Sequence, residues 1–358
     1  MTQDAALHTL SGEGLQRFQT LQTEAVSTVT DRFYASHGSI YSRFGPRGRD
    51  ACREDLAFHL EFLRPVLEFG LLQPMTDYLG WLGSVLAARA IPVAHLTLSL
   101  EWLAEFFAEH MEPSDGNLVA TGLRAASTSF LNAKEGPPKQ PDPSELWPEA
   151  ATFEMALLAG SQRDALAVVT GCIDTGHSLA DVELHVIQPS LYHIGDKWQA
   201  NQVTVAQEHL ATAITEAVMT LGLLRSSPLA AIGKRVLLAC VEGNNHTIGL
   251  RTVSDAFQLA GWDVQYLGAS VPTRALVSQA VTWKPDLIGL SVSFPQQLRA
   301  AKNVIVQLRD CLGNTRPAVI IGGLAINRFN RLANMVGADS WSADAAAAVV
   351  YANQRSAA

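Results

Sequence analysis

The last third of the chain alternates short apolar runs with amphipathic runs, and this alternation restricts the fold more than any other feature. From residue 233 onward, five runs of strand-forming residues are separated by stretches whose apolar residues have helical spacing. The five runs are RVLLACV, DVQYLGA, DLIGLSVS, PAVIIGG and DSWSA. Buried strands that alternate with helices favour a parallel sheet covered by helices on both faces. We therefore predict a flavodoxin-like or Rossmann-like parallel-sheet domain over residues 233–358.

Polar and small residues follow these strands where ligands of such sheets usually bind. In open parallel sheets the ligand lies at the carboxyl ends of the strands, near the point where the strand order reverses. His246 follows the first run, Ser291 and Ser293 end the third, and Gly322 and Gly323 end the fourth. These ends of the strands are therefore the candidate binding site.

The spacing of these residues resembles the cobalamin-binding module of corrinoid proteins. That module has the pattern D-x-H-x-x-G, then S-x-L, then G-G. Here 41 residues separate the first piece from the second, and 28 separate the second from the third. The three pieces are Asn244-x-His246-x-x-Gly249, Ser291-x-Ser293 and Gly322-Gly323. Taken separately, the glycines could equally be turn and packing positions of an ordinary flavodoxin-like domain; the common register favours the cobalamin module.

The resemblance implies a role for each piece. His246 would be the lower axial ligand of cobalt, since imidazole nitrogen suits such a metal. The nucleotide tail of the cofactor would lie in a slot along the sheet. The glycines (Gly249, Gly322 and Gly323) would let the backbone approach it, and the Ser291 hydroxyl would bond its base.

Two positions depart from the family pattern. Asn244 replaces the acid two residues before the histidine, so we expect a less basic ligand, because an amide cannot take the charge that a carboxylate takes. Glu242 is an alternative partner for the ring. Ser293 replaces the leucine of S-x-L and alters one wall of the slot.

Residues 149–228 have helical periodicity, with room for about four helices, which predicts a small helix bundle. Nine residues separate Trp198 from the pair Glu208-His209. This W-x9-E-H pattern resembles the helical cap that precedes the cobalamin module in methionine synthase and in light-sensing cobalamin transcription regulators. The resemblance implies that Trp198 packs on the adenosyl group of adenosylcobalamin and that Glu208 bonds its ribose.

The residue after the tryptophan is a further departure. In light-sensing members a histidine there can bind cobalt after light breaks the cobalt–carbon bond, but this chain has Gln199. We expect His209, His193 or water to take that position instead.

Residues 1–134 read as helix throughout, which predicts a globin-like or bundle domain of five helices. A linker over residues 135–148 follows, with five of the sixteen prolines of the chain. The fold class is thus α + α/β: an all-helical domain, a helical cap over 149–228 and the sheet domain.

Four arginines lie close together near a Gly-Pro turn of the N-terminal segment, followed by His59. They are Arg43, Arg47, Arg49 and Arg53. Such arginines are either a solvated basic loop or a site for carboxylates. In the second case a linear tetrapyrrole is the best match, with Arg49, Arg53 and His59 beside it. A helical domain joined to a cap and a cobalamin module resembles the photocobilins, which implies biliverdin as a second, noncovalent chromophore.

Composition restricts the remaining classes. The net charge of −8 argues against direct nucleic-acid binding, and no apolar run is long enough for a membrane span. The four cysteines lack C-x-x-C spacing, which favours reduced thiols in a cytoplasmic protein. We see no catalytic nucleophile or base, so we do not predict an enzyme.

Three functions remain. The first is a sensory protein, light-responsive through adenosylcobalamin, that acts as a homo-oligomer or on a regulatory protein partner. The second is a corrinoid methyl carrier of a methyltransferase system. The third is a cobalamin-binding antirepressor. The W-x9-E-H pattern favours the first.

Overall fold

The structure is a computed structural model, and it describes residues 8–133 and 147–356. The predicted linker over 135–148 lies outside these residues except for Trp147 and Pro148. The chain divides into two compact units: the first holds the N-terminal helices, and the second holds the cap helices together with the sheet. The boundary that we drew between a cap domain and a sheet domain stays a prediction.

The N-terminal unit contains five helices, as predicted. They are α1 (Gly12–Tyr41), α2 (Gly45–Phe69), α3 (Gln73–Ala88), α4 (Val93–His110) and α5 (Pro113–Asn132). Helix α1 packs against α2 and α4, and α5 packs against α2, α3 and α4. The rings of Phe18 and Phe107 lie 4.9 Å apart in the interior. Apolar residues at three- and four-residue spacing thus produce a helical bundle.

The second unit begins with the cap helices. They are α6 (Pro148–Leu158), α7 (Gln162–Asp174), α8 (Leu179–Val182), α9 (Gln188–Gln199) and α10 (Val205–Arg225). A π-helical turn, Glu183–Ile187, joins α8 to α9. Thr204 begins α10 with a capping box, in which its side chain and that of Gln207 each accept a hydrogen bond from the other's backbone N–H. The cap core is centred on Phe153 and Leu157, both fully buried.

A five-stranded parallel sheet follows the cap. The strands are β1 (Arg235–Cys240), β2 (Asp263–Tyr266), β3 (Leu287–Ser291), β4 (Ala318–Gly322) and β5 (Ser340–Trp341). Their order is β2-β1-β3-β4-β5, and every pair is parallel. This is the flavodoxin-like order, whose switch point lies between β1 and β3. The predicted fold class is confirmed.

Six helices cover the sheet. They are α11 (Ile248–Leu259), α12 (Thr273–Trp283), α13 (Leu298–Leu312), α14 (Leu324–Arg328), α15 (Arg331–Val336) and α16 (Ala345–Ser356). Phe257 of α11 is fully buried and meets Trp262 edge-on at 5.2 Å. Two short helices, α14 and α15, lie between β4 and β5. They are separated because Phe329, at φ −135° and ψ 66°, leaves the helical conformation.

Strand register determines which residues share the carboxyl edge of the sheet. Cys240 of β1 is paired with Ser291 of β3, which in turn is paired with Gly322 of β4. The loops that carry the three predicted motif pieces therefore leave the sheet side by side. Within the described ranges 8–133 and 147–356, no helix combines the length and apolar character needed to cross a membrane.

Gly323 occupies a backbone conformation that only glycine adopts easily. Its φ is +100° and its ψ 172°, and an added Cβ would lie 2.5 Å from the carbonyl oxygen of Val292. Replacing Gly323 by Ala should therefore lower the free energy of unfolding by at least about 1–3 kcal/mol, measured by urea denaturation followed by circular dichroism.

Gly249 provides the matched control. It lies inside α11, and a Cβ added there would meet no atom within 4 Å. Gly249→Ala should leave the stability of the cofactor-free protein unchanged or slightly raised, since alanine favours helix over glycine. Equal loss of stability in both variants would contradict the assigned conformation of Gly323.

Candidate functional site

The loop after β1 is held by the side chain of Asn244, which is fully buried. Its amide Nδ2 donates to the backbone oxygen of Ser291 at 2.9 Å and to the Ser291 hydroxyl at 3.3 Å. Its Oδ1 accepts the backbone N–H of His246 at 3.1 Å. Asn244 thus uses both ends of its amide to tie the β1 loop to the end of β3. A carboxylate could accept the His246 N–H but could not donate to Ser291.

His246 lies at the surface of this loop. Its ring meets Phe294 edge-on, with 5.0 Å between ring centroids, and its backbone oxygen accepts the Cys240 thiol at 3.4 Å. Solvent reaches the side chain, yet the surrounding protein atoms lower the pKa of His246, and the negative charge of Glu208 acts in the opposite direction. The imidazole is therefore neutral at neutral pH, the form that can bind a metal.

The predicted ring partners of His246 are engaged elsewhere. Asn244 bonds the backbone of His246 and not its ring. Glu242 accepts the backbone N–H of Thr273 at 3.4 Å, at the start of α12. Neither side chain would therefore raise the basicity of the imidazole in this arrangement, in agreement with the weaker ligand expected from the missing acid.

The slot predicted along β3 and β4 has small residues at its end. Ser291 is buried beneath the Asn244 amide, and Gly322 follows it in the register. A Cβ added at Gly322 would lie 3.2 Å from the backbone oxygen of Ser342, so no larger residue fits there without displacement. Ser293 is also buried, and its backbone N–H donates to Gln297.

Sequence reasoning missed Gln297 and Cys240. Gln297 Oε1 accepts the N–H groups of Ser293 and Phe294 at 3.0 and 3.1 Å, and its Nε2 donates to the Gly243 oxygen at 2.9 Å. It therefore braces the β3 loop against the β1 loop. The sequence signal that could have identified Gln297 is a polar residue, in Phe-Pro-Gln-Gln, shortly after the end of a buried strand. Burial raises the pKa of Cys240 to about 11, so this thiol stays protonated and can donate to the His246 oxygen.

The cap places its predicted residues at the end of α9 and the start of α10. Trp198 is half-buried and packs against the cap core. Glu208 accepts the Thr212 hydroxyl at 3.1 Å and lies 2.5 Å from Nδ1 of His209, which is exposed. His193 instead faces Glu154, at 3.3 Å. The Thr247 hydroxyl donates to Glu216 of α10 at 2.8 Å and the charge of Glu208 acts on His246, so α10 lies beside the β1 loop.

The residues predicted to bind a bilin in the N-terminal unit do not lie together on one surface. Arg49 pairs with Asp31 at 2.5 Å and Arg53 with Asp50 at 3.1 Å, and all four side chains are exposed. His59 is instead 2% exposed. Its Nδ1 lies 2.9 Å from the Tyr78 hydroxyl, and burial lowers the pKa of His59 to about 3. His59 lies in the helical core because its face of α2 is the apolar one, and its predicted place beside a tetrapyrrole stays a prediction.

The residues of the second unit fit a corrinoid. His246 supplies one neutral imidazole donor, and no group of three or more His, Cys, Asp or Glu side chains among residues 8–133 and 147–356 forms an all-protein metal site. The cobalt of a corrinoid already has its equatorial nitrogens, so one protein ligand is sufficient. Three residues after His246, a Cβ added at Gly249 would meet no protein atom within 4 Å, so the backbone there is open to a ligand.

Comparisons with known proteins point the same way. The model of a B12 binding domain matches residues 234–350, and that of a second B12 binding domain matches residues 150–221. The HTH-type transcriptional repressor CarA of Myxococcus xanthus is 29% identical over 218 residues, which are 60% of this chain and 70% of CarA. Dimethylamine corrinoid protein 3 of Methanosarcina mazei is 33% identical over 114 residues, which are 32% of this chain and 67% of the relative.

A solved structure, that of the Methanosarcina barkeri monomethylamine corrinoid protein, is 20% identical with a TM-score of 0.48 and covers 56% of this chain and 95% of its own. Both family matches fall on the second unit: one on the cap helices and one on the sheet that carries His246. The resemblance drawn from the three motif pieces is thereby confirmed, and the chain belongs to the family of B12-binding proteins.

Proposed function

We propose that this protein is a sensory protein that responds to light through bound adenosylcobalamin. The observation that carries the proposal is the packing of cap helix α10 beside the loop of His246, where the Thr247 hydroxyl donates to Glu216 at 2.8 Å and the charge of Glu208 acts on the imidazole. His246 of the sheet domain and the Trp198–Glu208 pair of the cap would together hold the corrinoid. Bound adenosylcobalamin would supply a cobalt–carbon bond that light can break.

In this proposal, different residues of the chain hold different parts of the cofactor. His246 binds the cobalt through its neutral imidazole, and Asn244 fixes the loop that carries this histidine. Trp198 shields the adenosyl group from water, and the Glu208 carboxylate accepts hydrogen bonds from the ribose hydroxyls. Ser291 and the glycine pair after β4 receive the nucleotide tail. The chain itself carries out no turnover in this proposal; it binds and signals.

A second function, that of a corrinoid methyl carrier, has support of its own. The relative named dimethylamine corrinoid protein 3 shares 33% of residues over its aligned part. A carrier would have to open its cap so that a methyl-accepting partner could reach the cofactor. The half-buried Trp198 at the start of the cap site favours the larger adenosyl group, and with it the sensory function.

We propose that the signal passes to a protein partner or through self-association, and that the protein acts in the cytoplasm. The net charge of −8 disfavours direct contact with DNA. The relative CarA is named as a transcriptional repressor of the HTH type. An antirepressor, which would bind such a repressor and not the DNA, is compatible with both observations.

The first prediction concerns His246. Replacing it by Ala removes the imidazole ligand, so bound cobalamin should show the spectrum of a form without a nitrogen ligand, and affinity should fall by more than about tenfold. Absorption spectroscopy during titration with cobalamin measures both. His177→Ala, at an exposed histidine of the cap, should change neither. An unchanged spectrum in His246→Ala would remove His246 from the site.

The second prediction concerns the upper face. The protein should bind adenosylcobalamin more tightly than methylcobalamin, and green light should change the spectrum of the adenosyl form. Because Gln199 has no imidazole, the spectrum after light should show only one imidazole ligand unless His209 or His193 supplies the second. A two-imidazole spectrum that persists when both histidines are replaced would contradict this.

Trp198→Ala should abolish the preference for the adenosyl form. Trp283→Ala is the matched control, since Trp283 stacks with Arg235 at the opposite edge of the sheet, with 5.5 Å between the guanidinium carbon and the ring centroid. Equal affinities for the adenosyl and methyl forms in the unmodified protein would favour the carrier.

The third prediction concerns biliverdin, which we propose as a noncovalent ligand of the N-terminal unit. The propionates of a bilin would have to displace Asp31 from Arg49 and Asp50 from Arg53. Exposed ion pairs of this kind contribute only about 0–1 kcal/mol, so the exchange costs little. Mixing the full chain with biliverdin should sharpen its red absorbance band. Asp31→Asn should tighten binding, and the double change of Arg49 and Arg53 to Ala should weaken it.

The same titration has an outcome that rejects the proposal. Arg163→Ala, at an exposed cap arginine, is the charge-matched control and should have no effect. If biliverdin gives no red band, or binds equally well without Arg49 and Arg53, the N-terminal unit is a dimerisation or partner-docking module.

A further inference from the structure

Two carboxyl groups meet in the interior between the cap helices and the sheet domain. Glu183 begins the π-helical turn of the cap and is 1% exposed, and Asp255 of α11 is 0% exposed. The two carboxyl groups are close enough to act on each other's pKa, and a proton on one could be donated to the other. Arg251, one turn earlier on α11, donates from Nε to Asp255 Oδ1 at 2.7 Å.

One oxygen of each carboxyl group accepts no hydrogen bond from an N–H or hydroxyl group of the described residues. Within the part of the chain that the structure describes, Glu183 Oε1 and Asp255 Oδ2 are buried and receive no hydrogen bond from an N–H or hydroxyl group. Two carboxylates held together away from water cannot both be charged, because each would raise the energy of the other. A single proton held between them resolves both problems, since a carboxyl O–H can donate to a carboxylate.

The charges of the cluster then sum to zero. With one proton on the pair, one negative charge remains, and Arg251 neutralises it. Burial, followed by the charge of Asp255, raises the pKa of Glu183 to about 10; burial also raises the pKa of Asp255, against the opposing effect of Arg251. Glu183 therefore holds the proton at neutral pH and Asp255 holds the charge.

Other charged groups face the cluster from the neighbouring elements. Tyr266 at the end of β2 senses Arg251 and Asp255, and burial raises the pKa of Tyr266 to about 12. Glu216 of α10 is near Tyr266 and accepts the Thr247 hydroxyl at 2.8 Å. A cavity of about 410 Å³, lined in part by Glu216, Arg251 and Tyr266, lies on this side.

The cluster joins the two segments that carry the proposed cofactor ligands. Helix α11 begins at Ile248, two residues after His246, and the π-helical turn leads directly into α9, which ends at Trp198 and Gln199. A π-helical turn is a strained insertion that often marks a functional position. Here its first residue is the one that reaches across to α11.

We propose that Glu183 and Asp255 share one proton and act as positioning residues, holding the cap against the sheet domain so that Trp198 and His246 stand at the separation the cofactor needs. The positioning role depends on the proposed cofactor-binding function. The shared proton depends only on the packing of Glu183 against Asp255. Loss of the proton would place two like charges in the interior and push the cap away.

The sign of the pH dependence follows from the raised pKa of Glu183. In the unfolded chain Glu183 loses its proton near its ordinary pKa of 4.5, whereas in the folded chain it keeps the proton up to about 10. Between these values unfolding releases one proton, so stability must fall as pH rises. Between pH 7 and 9 Asp55, with its pKa raised to about 6, adds little, while Cys52 and Cys240, with pKa values raised from 9.0 to about 11, add the same contribution to every variant, so the difference between variants isolates the pair.

The test compares Glu183→Gln with Glu183→Ala in the full chain. Urea denaturation of the cofactor-free protein at pH 7 and pH 9 should show the unmodified protein losing more stability than Glu183→Gln, and the difference should have the slope of one proton. Gln can donate its N–H to Asp255 without titrating, so Glu183→Gln should lose this slope and exceed the unmodified protein at pH 9. Glu183→Ala should be less stable than Glu183→Gln at both pH values. Asp310→Asn, at an exposed carboxylate, should keep the slope.

A second measurement tests positioning. Adenosylcobalamin affinity of the unmodified protein should fall by at least tenfold from pH 7 to pH 9, while that of Glu183→Gln should stay constant. An unchanged slope in Glu183→Gln overturns the shared proton, and equal pH dependence of affinity in both proteins overturns the positioning role. If no cobalamin binds at any pH, the proposed function and the positioning role both fail, while the denaturation arm still decides whether the proton is shared.

Discussion

The parallel pairing of β1 with β3 is the constraint on which the site depends. It lays Cys240 beside Ser291, so that the loop leaving β1 starts next to the end of β3. That proximity lets the Asn244 amide reach Ser291, and the same loop is closed from the other side by Gln297. A shift of the register by one residue would turn Ser291 to the opposite face of the sheet and would break both ties.

Asn244 stands where the family pattern has an acid, and this difference affects both the structure of the loop and the charge beside the His246 ring. Structurally, the amide gains a donor, and the donor is used on Ser291 at 2.9 Å. Electronically, the His246 ring loses a negative partner, while the lowered pKa of this histidine keeps the ring neutral and able to bind. The amide therefore gives the loop a bond to the end of β3 that a carboxylate could not make.

The sequence was informative wherever the signal was periodic or local. Buried strands such as RVLLAC and LIGLS, and the motif spacing around His246, follow from side-chain pattern alone, and the sheet confirms them. Contacts between distant residues could not be read in this way. Gln297 reaches Gly243 across 54 positions, and Glu183 meets a residue of another element altogether. The burial of His59 could not be read either, because an isolated histidine on a helix looks the same whether its face is buried or exposed.

Two glutamates of the cap, Glu208 and Glu183, differ in burial and therefore in their proposed roles. Glu208 is open to solvent and stays available as an acceptor at the proposed ribose site, and its charge reaches His246. Glu183 is enclosed, and its proton is retained because Asp255 already carries the charge that Arg251 can neutralise. The first residue needs its negative charge to bind, and the second needs to lack one for the cap to stay in place. Both glutamates face the domain that carries His246. In the proposals above, one binds the ligand and the other keeps the cap in place, and the difference between them is their access to water.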